Sequence, residues 1–146
     1  MYVIIEEYIE KLSRNYSIVG IFNTEEEANI LCQYKWRTEG EYQERHGYYY
    51  NCTVNEVETS FTQNNNEVLY VLIESGIYAC GITKEYIRNN NDLIYDNRAD
   101  FKRVVGVYES EEELRRVYEG MKDEANFYFS FRYKICNEVE EIEMLL

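Results

Sequence analysis

The chain has 146 residues, enough for one ordinary domain or two very small ones. It carries 28 acids against 15 bases, a net charge of −13, and that argues against direct binding to nucleic acid, which runs on Lys and Arg. No apolar run approaches the ~20 residues of a membrane span, and the acidic start MYVIIEEYIEK predicts a cytoplasmic chain without a signal peptide.

The first predicted strand is Tyr2–Glu7, apolar on both faces as a covered central strand would be. Tyr16–Phe22 is the second, and Gly20 within it predicts close packing or a bulge. A helix follows. Thr24-x-x-Glu27 reads as a capping box, and Ala28, Leu31, Cys32 and Lys35/Trp36 form the stripe to be buried. His46 and Gly47 mark its C-terminal end. Tyr48–Val57 is the third strand, and Gln63-Asn64-Asn65-Asn66 is a polar linker. The same order then returns: strands at Val68–Glu74 and Arg103–Tyr108, a helix opening on Ser110-x-x-Glu113, and a strand over Phe127–Val139. Leu114, Val117, Tyr118 and Met121 are the second helix's buried stripe.

The recurrence extends to the residues. SIVGIFNTEEEANIL (17–31) aligns without a gap on RVVGVYESEEELRRV (103–117). YVIIEE (2–7) matches YVLIES (70–75), and NEVE occurs at 55–58 and 137–140. The offsets of 68, 86 and 82 keep their order, so the second copy has 18 extra residues after its first strand and loses 4 between helix and third strand. The fold class this predicts is α+β. It is a tandem pseudo-symmetric ββαβ repeat sharing one mixed or mainly antiparallel sheet of about six strands, with both main helices on one face. The units are 1–62 and 67–146, the second with an insertion at 75–102, in one compact domain.

Four scattered cysteines without a CxxC pair predict reduced thiols packed as small hydrophobes. One histidine, isolated glycines and no calcium-loop pattern supply no catalytic residue, no metal site and no cofactor site, and an enzyme is not expected. The Glu-Glu-Glu runs read as capping and dipole partners. Binding residues are expected where the copies differ. In 38–50 these are Glu39, Glu41, Tyr42, Glu44 and Tyr48; in the insertion they are Tyr86, Asp92, Tyr95, Asp96 and Asp100. Tyrosines beside carboxylates suit a Lys- and Arg-rich protein surface through cation–π contacts and ion pairs.

In size and charge, rather than through a motif, the chain resembles the small acidic inhibitors made by bacteriophages and mobile elements, among them anti-CRISPR and DNA-mimic proteins. The Asn runs at 64–66 and 89–91 fit an AT-rich genome. The resemblance implies a non-enzymatic protein, monomeric or a small homo-oligomer, that blocks a basic, nucleic-acid-binding host protein in the cytoplasm. The alternative is a small-molecule binding or sensing module with its ligand between the repeats.

Overall fold

Tyr2–Glu7 and Val68–Glu74 need cover on both faces, and the architecture supplies it. The computed structural model describes residues 1–10, 13–47, 49–62, 68–76, 101–123, 127–135 and 139–145. The first half holds strands β1 (Tyr2–Glu10), β2 (Ser13–Phe22) and β3 (Tyr49–Glu56). Between β2 and β3 lie helix α1 (Glu25–Lys35), a π-helical turn (Trp36–Gly40) and a short helix α2 (Glu41–Arg45). The second half holds β4 (Val68–Gly76), β5 (Phe101–Tyr108), helix α3 (Glu111–Met121), β6 (Phe127–Lys134) and β7 (Val139–Leu145).

The strands form two antiparallel sheets, ordered β2-β1-β3 and β5-β4-β6-β7. Pleating sends alternate residues of each central strand to opposite faces. Val3 and Ile5 of β1 meet Leu69, Val71 and Ile73 of β4 and Phe127, Phe129 and Phe131 of β6 in one apolar layer between the sheets. Ile4 points the other way, beneath Ala28 and Leu31 of α1. Leu72 does the same beneath Leu114 and Tyr118 of α3. The layers therefore run α1, first sheet, second sheet, α3.

This corrects the expectation of one six-stranded sheet with both helices on one face. There are two sheets, and each helix covers the outer face of its own. The reason is two-sided hydrophobicity. A single sheet carrying both helices on one face would leave Val3, Ile5, Leu69, Val71 and Ile73 in water, and each buried aliphatic side chain stabilises the fold by about 1.5–3 kcal/mol. The expected strand Phe127–Val139 is likewise divided: β6 ends at Lys134 and β7 begins at Val139. Ladder positions align Thr53, opposite Ile5, with Phe129, opposite Ile73. The second NEVE thus falls after β6 rather than at the end of an equivalent strand.

The glycines of the two second strands sit beside bulges. The register slips between Ile4 and Ile5, so that Ile4 faces Gly20 and Ile5 faces Ile18. The same slip between Leu72 and Ile73 sets Leu72 against Gly106 and Ile73 against Val104. One residue is left over in each strand, Val19 and Val105, and both turn toward the helix side. A Cβ on Gly20 would lie 2.8 Å from the Phe22 ring and 2.9 Å from the Leu31 methyl, so a side chain there would require both to shift. Glu7 of β1 and Lys102 of β5 form an ion pair linking the halves. Burial pulls the Lys102 ammonium down to about 8.

Candidate functional site

The two helices begin alike. The Thr24 hydroxyl accepts from the Glu27 backbone N–H (3.4 Å) and the Ser110 hydroxyl from that of Glu113 (3.2 Å), as the capping boxes predict. Their outward faces differ. That of α3 is charged, with Glu112 against Arg116 and Glu111 against Arg115 at i,i+4 spacing. Its apolar residues Leu114, Val117, Tyr118 and Met121 all face the sheet.

The first helix is apolar on both sides. Ala28, Leu31 and Cys32 pack on the sheet, while Ile30 and Tyr34 are 62 % and 60 % exposed, and Tyr42 of α2, further along the same face, is 55 % exposed. Residues 30, 34, 38, 42 and 46 form a row at i+4 spacing. Thr38 Oγ1 donates to the Tyr34 carbonyl (3.0 Å), and His46 Nδ1 lies 2.8 Å from the Tyr42 carbonyl, which makes it the protonated ring nitrogen. The His46 ring lies against Tyr42, with centroids 4.2 Å apart. His46 is the C-cap, and Gly47 follows at φ 77°, the left-handed position expected of it.

A polar cluster holds this row from beneath. Glu6 is 5 % exposed, and the Tyr50 hydroxyl donates to its Oε2 at 2.9 Å. Tyr8 also hydrogen-bonds to Glu6, and Lys35 Nζ of α1 lies 3.3 Å from Glu6 Oε2. Trp36 packs edge-on to Tyr50. The Trp36 indole N–H (3.2 Å) and the Cys32 thiol (3.1 Å) both donate to the Cys52 carbonyl.

That carbonyl belongs to a strand edge. Met1 and Val57 exchange both backbone hydrogen bonds (3.0 and 2.8 Å). By antiparallel alternation, Cys52 then turns its own backbone groups away from β1. In the second sheet the matching position is Tyr128, which lies opposite Leu145 of β7. Side chains from the helix thus blunt an edge in one sheet that a strand covers in the other.

Glu74 repeats the buried carboxylate. It accepts from the Tyr128 hydroxyl (3.0 Å) and from Arg103 Nη2 and Nε (2.9 and 3.2 Å). Glu6 and Glu74 occupy matched positions one residue beyond the bulge.

Of the expected binding residues, Glu39 lies half-buried on the π-helical turn. Glu41, Tyr42 and Glu44 are exposed on α2. Tyr48, Tyr86, Asp92, Tyr95, Asp96 and Asp100 lie outside the described residues. The pleat divides the neighbouring tyrosines: Tyr49 is 57 % exposed and Tyr50 is 2 % exposed. The sequence reading missed Ile30 and Tyr34, although a helix with apolar residues on both faces was their signal. It also missed Glu6 and Glu74, whose signal was a carboxylate inside a two-sided apolar strand.

Among the described residues, no group of three His, Cys, Asp or Glu side chains is arranged to hold a metal ion, and no helix is long and apolar enough to cross a membrane. A cleft of about 300 Å³ lies among Tyr70, Glu111, Ser130, Arg132 and Glu143, where Arg115 pairs with both glutamates. Compared with known proteins, the chain matches no family model, no curated protein and no solved structure.

Burial and the bond to Glu6 raise the Tyr8 and Tyr50 phenols well above their usual range, and burial pushes the Cys52 thiol up to about 12. The folded state therefore holds protons that the unfolded chain releases above about pH 9–10. Stability from these groups is complete below that range and falls as pH rises through it. The depressed Lys102 ammonium acts in the opposite sense between about pH 8 and pH 10, so denaturant midpoints should decline from about pH 10 to pH 11, and Tyr50→Phe should flatten that decline. An unchanged slope in that variant would remove Tyr50 from the account.

Proposed function

We propose that this chain is a non-enzymatic acidic binding protein that sequesters or blocks a basic partner through the outward face of its first helical segment. The carrying observation is the exposed row of Ile30, Tyr34 and Tyr42 on a helix fixed from beneath, in a chain of net charge −13. Large apolar side chains in a row on an exposed helix face mark a docking site, and Arg37 and Arg45 stand exposed on the same segment. Tyrosines are rigid anchors, and Glu26, Glu27, Glu41 and Glu44 stand exposed around them. Arginine suits such a face best, because it stacks on aromatic rings and pairs with carboxylates at once.

An Arg-rich surface is also what binds nucleic acid, so occupying it displaces that ligand. This agrees with an inhibitor of a nucleic-acid-binding host protein, of the kind phages and mobile elements direct at defence systems, acting in the cytoplasm. The matched strand order, bulges and buried glutamates support a tandem ββαβ duplication as the framework. For the alternative reading, the space between the sheets is filled by the apolar layer described above. An open depression of about 470 Å³ between the halves is lined by Thr59, Ser60, Phe61, Thr62 and Glu109, without the tyrosine and arginine lining that reading calls for.

The test is a titration with an Arg-rich polypeptide and its Lys-rich counterpart at two salt concentrations. Arginine preference is expected, with binding weakened by salt. The double variant Tyr34→Ala/Tyr42→Ala should lose about 10–100-fold in affinity, at roughly 1.4 kcal/mol per tenfold, with its melting temperature held. Equal binding by that variant would leave only non-specific charge attraction and overturn the assignment of the face.

A further inference from the structure

Cys32 and Cys52 meet beneath the first helix. Cys52 is buried in β3, and Cys32 is half-buried on α1. Both pack with Ile4, Ala28, Leu31 and Tyr50. The Cys32 thiol donates to the Cys52 carbonyl at 3.1 Å. Both are free thiols in this structure. Two thiols in one apolar layer, on adjacent elements, form a different feature from a single packed cysteine.

We propose that Cys32 and Cys52 are a dithiol pair that closes to a disulfide in the presence of a low-molecular-weight disulfide, fastening the first helix to the edge of its sheet. The step with glutathione disulfide is an ordinary exchange. The Cys32 sulfur, after giving up its proton, attacks one sulfur of the oxidant. The oxidant's S–S bond breaks, and one glutathione leaves and takes up a proton. The Cys52 sulfur then attacks the Cys32 sulfur of the mixed disulfide, and the second glutathione leaves with the second proton. Two electrons pass from the cysteine pair to the oxidant, and two reduced glutathiones result.

The order follows from the surroundings. Cys32 is the more accessible thiol. Burial and the neighbouring Cys32 thiol push Cys52 up to about 12, which disfavours it as the first attacker. Closure removes the Cys32 donor from the Cys52 carbonyl, and the Trp36 indole N–H at 3.2 Å still satisfies it. The helix therefore keeps one bond to the strand edge in either redox state. The bridge closes a loop of about 20 residues, a length at which a disulfide restricts the unfolded chain appreciably.

The full chain is incubated with glutathione disulfide and mapped by peptide mass spectrometry without reduction. The expected product is a single chain that has lost two hydrogens, with a Cys32–Cys52 crosslinked peptide and a higher melting temperature that a dithiol reductant reverses. Cys52→Ser should stop at a stable glutathione adduct on Cys32, and Cys32→Ser should give no adduct on Cys52. A stable adduct on the unmutated protein, a bridge to Cys80 or Cys136, a bridge between chains, or no reaction would each overturn the proposal. If either variant folds poorly, the product formed by the unmutated protein decides between these outcomes by itself.

Discussion

Phe129→Ala is expected to cost about 3–5 kcal/mol, the usual range for removing a large aromatic side chain from a filled core. Phe129 is 1 % exposed at the centre of β6, in the layer where both sheets meet. The cavity would be lined by residues of both halves, and neither sheet can close it alone. The loss should therefore reach the first half. Trp36 is the only tryptophan, and it sits on the first half, against Tyr50. Its fluorescence reports on the sheet that does not contain Phe129. In urea, the Trp36 transition and the far-ultraviolet dichroism transition should move down together and stay superimposed. Ile142→Ala, on β7 with 47 % of its surface exposed, should stay within about 0.5 kcal/mol of the parent. A Trp36 midpoint that holds while the dichroism midpoint falls would show two halves unfolding separately, against a shared core.

That shared layer marks the limit of what the sequence discloses. The two-sided character of YVIIEE and YVLIES is plain, and so are the glycines and the hydroxyl caps, because each is a local requirement. The partner of the second apolar face is not a local requirement. A helix or another sheet would satisfy Val3 and Ile5 equally, so the division into two sheets enters only with the tertiary fold. The strand β7 is obscured for a different reason. VEEIEML is rich in glutamate, and its register on β6 slips between Arg132 and Tyr133, which breaks the simple alternation. The segment 38–50 exposes Glu41, Tyr42 and Glu44, but it is not uniform. Tyr50 turns inward to Glu6 because it pairs across the ladder with Tyr8, on the helix-covered face. Ile30 and Tyr34 are hard to single out because the helical stripe of Ala28, Leu31 and Cys32 already accounts for the helix. Surplus hydrophobicity on the opposite face is a signal only once the core has been assigned.

Glu6→Ala is the substitution that connects this framework to the proposed docking face. Glu6 receives the Tyr50 and Tyr8 hydroxyls and the Lys35 ammonium, so its removal strands three polar groups at once. Breaking a buried ion pair costs about 3–5 kcal/mol, and the lower end applies because Lys35 remains 26 % exposed and can turn to water. About 3 kcal/mol is therefore expected for Glu6→Ala. Glu6→Gln keeps an acceptor for Tyr50 and gives up only the charge, so it should cost about 1–2 kcal/mol, near the worth of one charge-assisted hydrogen bond. Glu74→Gln in the other sheet should cost a similar amount, and the two substitutions should add, since no side chain bonded to Glu6 is bonded to Glu74 among the contacts described. The consequence for binding is distinct. The row of Ile30, Tyr34 and Tyr42 is held in place by Lys35 on Glu6 and by Trp36 on Cys52, so Glu6→Gln should loosen the face without altering it chemically. Affinity for the Arg-rich polypeptide should fall a few-fold in Glu6→Gln and remain at the parent value in Glu74→Gln at equal global stability. If both variants bind as the parent does, the cluster beneath the helix supports the fold and takes no part in presenting the face.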